Sequence, residues 1–424
     1  MESTPPAGMA KLSQNSAEPT PRHALAFIFS VAVLDLLGLT LLLPVIPFLV
    51  RQYNAGAIYV TLMTVVYAAA QFLAAPWLGR LSDRYGRKPT LLICLLGSAL
   101  GYVLFGLGGA LWVLLLSRLI DGVTGGNIAI VSAYIADITP PEERAKNFGL
   151  IGMAFGIGFI FGPALGGALS RISLAAPAFA AGALSLLAVL VGLIMLPESL
   201  PPARRATGSI TLGEINPFAS IWSMLRRSTL GTLLLVQCLF IFAFDGINTT
   251  GGVFAMDKFA ITPFALGMLF VLIGVVLAAT HGLIGQLTQR FGEKQLAVVG
   301  FGTMSIAQLA TFLAPAFWLW FPLGALASMA AGLIYPTMGA MIANSVSQNE
   351  QGQVNGVSMS LTGLMTALGP LAAGVAYDHL MPGAPYWIGT LLFVIAALML
   401  LRISQMARPE VNPATGLLDA TLEA

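Results

Sequence analysis

Long unbroken apolar runs, rather than stripes of period 2 or 3.6, set the pattern of this chain. Residues 24–50, 89–117, 177–197, 229–247 and 384–401 are each long enough to cross a hydrocarbon core of ~30 Å, which takes about 20 helical residues. Further runs are broken only by Gly, Pro or a single charge. Together they predict twelve helical spans, at about 24–49, 58–79, 89–109, 111–134, 146–169, 177–197, 229–254, 263–284, 295–313, 316–343, 355–378 and 384–402. The polar segments divide the chain into an N-terminal tail (1–23), a six-helix half (24–197), a linker (198–228), a second six-helix half (229–402) and a C-terminal tail (403–424). The linker is rich in Pro, Ser and Arg, and a short surface helix is expected in it around Phe218–Leu225.

Composition strengthens this picture. Of 424 residues, 57% are hydrophobic and only 9% are charged, too few charges to cover a soluble protein of this size. Cys94 and Cys238 sit in separate apolar runs and read as small buried hydrophobes, with no disulfide or metal site expected. The first 23 residues are polar and the first apolar run is too long for a signal peptide's core, so no cleaved leader is expected.

Charge placement gives an orientation. When loops are assigned alternately to two sides, one side and the tails hold sixteen of the twenty Lys and Arg residues, the other only Arg51, Arg171 and Lys258. Positive charge collects on the cytoplasmic side, so both termini are expected there, in a multi-pass protein of the cell (inner) membrane.

The halves also repeat. Gly79–Lys88 (GRLSDRYGRK) returns as Gly285–Lys294 (GQLTQRFGEK), 206 positions later. The next loop on the same side repeats on its Asn and Gly pairs, and Gly162-Pro163 is answered by Gly369-Pro370. Ordered matches at a nearly constant offset indicate duplication, a feature of transporters whose site lies between two repeats.

These residues carry a resemblance. Gly79–Lys88 resembles the loop motif of the major facilitator superfamily, and Gly158–Gly167 (GFIFGPALGG) resembles the fifth-helix motif of its antiporters. Arg118-Leu-Ile-Asp-Gly122 is similar to the fourth-helix motif of its drug:proton antiporters, and Asp35-Leu-Leu-Gly38 with Pro44 and Pro47 to their first helix. Ser117–Gly167 reads most like the tetracycline-efflux group. The resemblance implies the major facilitator fold, two pseudo-symmetric six-helix bundles, and proton-coupled antiport that exports drug-like compounds.

Each motif also has a physical reading. The 79–88 segment must reverse the chain at the membrane face, and Gly79 and Gly86 are expected to supply conformations that a Cβ would hinder. Asp83 can pair with a cation or a helix N-terminus, while Arg84, Arg87 and Lys88 are expected to meet the lipid surface. By resemblance these six residues form a latch for the outward-facing state. Gly158, Gly162 and Gly166 recur every fourth residue, a face for close helix contact, with Pro163 bending the span and Gly167 completing the motif.

Charges inside spans are costly and mark function. Asp35 lies about eleven residues into the first span, ~16 Å deep. Asp121 is at similar depth in the fourth, with Arg118 one turn before it, and Asp245 lies along the seventh. Asp35 is expected to carry protons, tuned by Arg118 and Asp121, with Asp245 a further candidate. Polar or aromatic residues at mid-span depth, Tyr67, Gln71, Asn127, Phe244, Asn248 and Tyr335, are the substrate-contact candidates.

The chain departs from the tetracycline-efflux pattern where that group has intramembrane polar residues in spans 3, 8 and 9. Here those places hold Gly101, Val276 or a neighbour, and Met304, and His281 lies a turn away. A different amphiphile, a cationic one if Asp35, Asp121 or Asp245 faces the cavity, is therefore expected. The alternatives are a proton-coupled uptake carrier for a small nutrient and a lipid or lysolipid translocase. With no phosphate loop, metal cluster or nucleophile triad, no enzyme and no cofactor is expected. The expected partners are a small-molecule substrate, protons and the bilayer, without nucleic acid, for a monomer.

Overall fold

The computed structural model describes residues 22–140, 143–202, 205, 222, 224–347 and 350–403. Among them, twelve helices are long and apolar enough to cross a membrane. In chain order they are α1 (His23–Arg51), α2 (Ala57–Tyr85), α3 (Arg87–Leu107), α4 (Leu111–Ile138), α5 (Asn147–Leu169) and α6 (Ala176–Met195). After the linker follow α7 (Ser228–Phe259), α8 (Pro263–Phe291), α9 (Glu293–Leu313), α10 (Phe317–Asn344), α11 (Gln351–His379) and α12 (Ala384–Arg402). No strand occurs among the described residues. The twelve spans fall where the apolar runs place them. The surface helix expected at Phe218–Leu225 falls mostly outside the described residues.

Two spans are broken. In α1 the helix gives way to turns at 42–45, where Pro44 and Pro47 each lack an N–H. In α4 it stops at Thr124 and restarts at Asn127, across Gly125-Gly126. These are places where helix hydrogen bonds must be met by other groups.

The described residues form two compact units, one within Met1–Val45 and Ala69–Ile210, the other within Ile46–Ala68 and Thr211–Ala424. In the first, Ile28, Val31 and Leu36 of α1 pack with Leu91 and Leu95 of α3, Ile130 and Tyr134 of α4 and Ala188 of α6. In the second, Phe240 of α7 is the hub of an aromatic cluster, with Tyr335 at 4.9 Å, Phe301 at 5.7 Å and Phe393 at 6.1 Å between ring centroids. Large apolar side chains also point outward from the spans, Ile194 81% and Met359 74% exposed. Such faces suit lipid rather than water.

The duplication is visible in the helix contacts. A Cβ on Gly158 of α5 would stand 3.0 Å from the Leu36 Cβ of α1, and Gly162 and Gly166 press in the same way on Thr40 and Leu41. In the second unit, Gly369 of α11 presses on the Phe242 backbone of α7, and a Cβ on Gly246 would stand 3.0 Å from the Gly369 carbonyl oxygen. The turns match too: Gly86 has φ +107° and Gly292, 206 residues on, φ +79°. Both are backbone states that only glycine adopts cheaply.

Candidate functional site

Asp35 stands on α1, on the segment that α5 packs against. Its Oδ1 accepts a hydrogen bond of 2.9 Å from Asn127 Nδ2. Asn127 is the first residue after the α4 break and is 2% exposed. The break itself is bridged by Gln71 of α2, whose Nε2 donates to the Gly125 carbonyl at 2.6 Å. Two of the expected substrate contacts therefore have structural partners: Asn127 holds the acid and Gln71 caps a broken helix. No ion pair to Asp35 occurs among the described residues, so its only charge-relevant neighbour by direct bonding is a neutral amide.

Arg118 and Asp121 are both almost fully buried and lie 3.1 Å apart across one helical turn. The guanidinium sits over two α3 rings, Phe105 at 4.7 Å and Tyr102 at 5.5 Å. Its Nε and Nη2 have no acceptor among the described residues. Ser98 of α3 donates to the Asp121 carboxylate. Gly101 lets α3 come this close, since a Cβ there would lie 3.1 Å from the Asp121 Cβ. The pair faces α3 within the first unit, sealed by aromatic rings that stabilise the cation.

The turn between α2 and α3 corrects an expectation. α2 continues to Tyr85, so Gly79 is an ordinary helical residue with open space beside it, as is its counterpart Gly285 in α8. The chain reverses at Gly86 alone. Nor does Arg87 meet lipid: it is 8% exposed and gathers polar groups around it. Its Nη1 lies 2.6 Å from Asp83 Oδ1 and donates to Ser82 Oγ at 2.6 Å, while its Nε donates to Asp137 of α4 at 3.0 Å. Its backbone N–H donates to Glu198 Oε1 at 2.8 Å, at the end of α6. Lys88 donates to the Leu193 carbonyl, and Arg84 lies over the Tyr85 ring at 5.7 Å. The motif is thus a closed cluster joining the ends of α2, α3, α4 and α6. Asp137 and Glu198, far away in sequence, complete it.

On the fifth-helix motif, Thr40 of α1 donates to the Gly158 carbonyl at 2.8 Å. Pro163 and Gly167 are buried within α5, and Ser170 donates to the Gly167 carbonyl.

The second unit carries more polar chemistry than its apolar sequence suggests. Thr366 of α11 donates to Asp245 Oδ2 at 2.7 Å. Along the same pair of helices, Gln237 Nε2 donates to Thr362 and Ser358 donates to Gln237 Oε1, each at 2.9 Å. Phe244 lies 6.0 Å from Tyr335, edge to face. Asn248 donates to the Phe244 carbonyl, and Tyr67 sits half-buried in α2.

Two broken spans, paired glycine faces and a duplicated turn in two units accord with the family description "Major Facilitator Superfamily", which matches residues 28–278 and 233–422. The chain belongs to the Major Facilitator Superfamily. Within it, this chain is 34% identical to the class C tetracycline resistance protein of Escherichia coli over 400 residues, which span 93% of this chain and 98% of that protein. It is 31% identical to the class B protein of the same organism, over 90% of this chain and 95% of that one. Among solved structures, the human organic anion transporter MFSD10 (TETRAN) superposes with a TM-score of 0.66 at 28% identity, covering 90% of this chain and all of that one. The chain is therefore a multi-pass membrane transporter of the Major Facilitator Superfamily. A superfamily motif flagged Asp83 and Arg87 by sequence alone. Asp137 and Glu198 had no such flag, although each is an acid at the end of an apolar span, which is a usable signal.

Proposed function

We propose that this transporter is a proton-coupled antiporter that exports hydrophobic or amphiphilic drug-like molecules across the inner membrane by alternating access, with both termini in the cytoplasm. It is taken to work as a monomer, with protons, lipid and substrate as its partners. The observation that carries the reading is Asp35: an acid in the interior of a membrane span, held by a neutral amide rather than by a cation. A carboxylate in that setting is costly to keep charged, and a neutral donor does not lock it in the charged form. It can therefore lose and regain a proton as access to water changes. Arg118, Asp121 and Asp245 are assigned supporting roles, and the Arg87 cluster that of a latch.

The relatives' names, tetracycline resistance proteins, favour export of a drug-like molecule. Tetracycline itself is a less favoured substrate. Gly101 is packed against Asp121 and Met304 is fully buried, so neither place offers the polar group the resemblance would require. The MFSD10 likeness favours a second reading, transport of an organic anion. Against it, Arg118 is enclosed by Asp121, Tyr102 and Phe105 and offers no open cation.

The test is substrate-dependent proton movement in proteoliposomes, wild type against Asp35→Asn, across cationic dyes, antibiotics, organic anions and lysolipids. Coupled movement that Asp35→Asn abolishes supports the reading. Substrate movement indifferent to an imposed pH gradient eliminates it.

A further inference from the structure

Inside the second unit, α7, α8, α9, α10 and α12 line a partly open cavity of about 100 Å³. Leu269, Phe270 and Trp320 form part of its apolar wall, and no lining side chain carries a charge. Cavities on the order of 150 Å³ with such walls admit a single benzene ring. This one is smaller but partly open, and it differs in its polar groups. Ser328, Thr311 and Asn248 line it, but each already donates to a backbone carbonyl. Three others are not satisfied in this way, and the indole Nε1 of Trp320 has no hydrogen-bond partner among the described residues. Tyr386 is 3% exposed, and its hydroxyl has no hydrogen-bond partner among the described residues. Gln308 is 7% exposed, and its amide nitrogen reaches only the Met304 sulfur, a weak acceptor at 3.5 Å. A buried donor left unbonded, as at Trp320 Nε1, is costly. Gly251 keeps the space beside it open, since a Cβ there would stand 3.1 Å from the Tyr386 oxygen.

We propose that this cavity binds the uncharged ring of an amphiphilic ligand, with Tyr386 and Gln308 contacting one polar substituent on that ring. The proposal rests on the exporter reading and gives it a substrate class: compounds with a neutral, singly substituted ring, whose charge, if any, lies outside the cavity. The chemistry disfavours two other occupants. A lipid acyl chain offers Tyr386 no partner, and a charged ring would find no counter-charge in the walls.

The test is photolabelling of the full-length protein in detergent with two probes, 3-azidophenol and azidobenzene, followed by mapping of the adducts. Both are expected to label residues of the cavity wall. Tyr386→Phe, which keeps the shape, should weaken 3-azidophenol labelling about fivefold, the worth of one neutral hydrogen bond, and leave azidobenzene within twofold. Gly251→Leu should abolish both. Adducts that map elsewhere, 3-azidophenol labelling insensitive to both variants, or entry of azidobenzene alone would each overturn the site. Export of the same variants' substrates is measured separately. Expected labelling in a protein that moves no substrate would keep the site and remove the exporter reading. Intact export without labelling would do the reverse.

Discussion

Asn127 donates to Asp35 across 2.9 Å, joining the restart of a broken α4 to the acid of α1. The position of the acid thus depends on where α4 breaks. Asp35→Asn is expected to abolish proton-coupled transport, and Asn127→Ala to slow it about tenfold, the worth of a hydrogen bond to a charged group. Proteoliposome flux checks this, with membrane-inserted protein measured in parallel. Full flux from Asn127→Ala would detach the amide from the mechanism.

The Arg118–Asp121 pair separates stability from coupling. Asp121→Ala leaves a buried cation uncompensated and should destabilise the protein by about 3–5 kcal/mol. The double variant Arg118→Met with Asp121→Leu should recover most of that in thermal unfolding, because an apolar pair of similar size suits the site. It is expected to stay inactive in coupled transport. Recovery of transport with stability would reduce the pair to scaffolding.

At the α1–α5 contact, Gly162→Ala drives a methyl group into Thr40 and should cost about 1–3 kcal/mol. Gly152 and Gly156 on the same helix have open space beside them, and alanine there should be neutral or slightly stabilising. Unfolding in detergent distinguishes the two classes. Equal effects at all three positions would contradict the packing described.

For the Arg87 cluster, Asp83→Asn and Asp137→Asn are each expected to abolish transport while leaving the protein inserted. In both cases a carboxylate partner of the same guanidinium loses its charge. Effects that differ by more than about tenfold would mean that the two acids do separate jobs, and wild-type transport by Asp83→Asn would sink the latch. Flux and surface accessibility assays together supply the readout.

The spans were legible because the hydrocarbon thickness demands long apolar runs, and no soluble element imitates them. The glycine face of α5 was legible from its spacing, although only the structure identified α1 as its partner. The structural partners of Asn127 and Gln71 were not legible, for one shared reason. A polar side chain in a membrane span satisfies either a ligand or the protein's own backbone, and sequence does not separate the two without knowing that α4 breaks. Gly79 looked like a turn residue because it opens a repeated motif, yet helix propagation carries through it. The Gln237–Ser358–Thr362 seam stayed hidden because those residues meet across helices more than a hundred positions apart.

The face of α5 against α1 has no rotamers to rearrange. At Gly158, Gly162 and Gly166 it is backbone against neighbouring side chains and backbone. A lineage adapting to new compounds has little freedom there, since even one methyl group is felt. The opposite face of α5, where Met153 is 53% exposed, can drift with its surroundings. Under selection, variation along this single helix should therefore arrive in stripes, frozen on one side and permissive on the other.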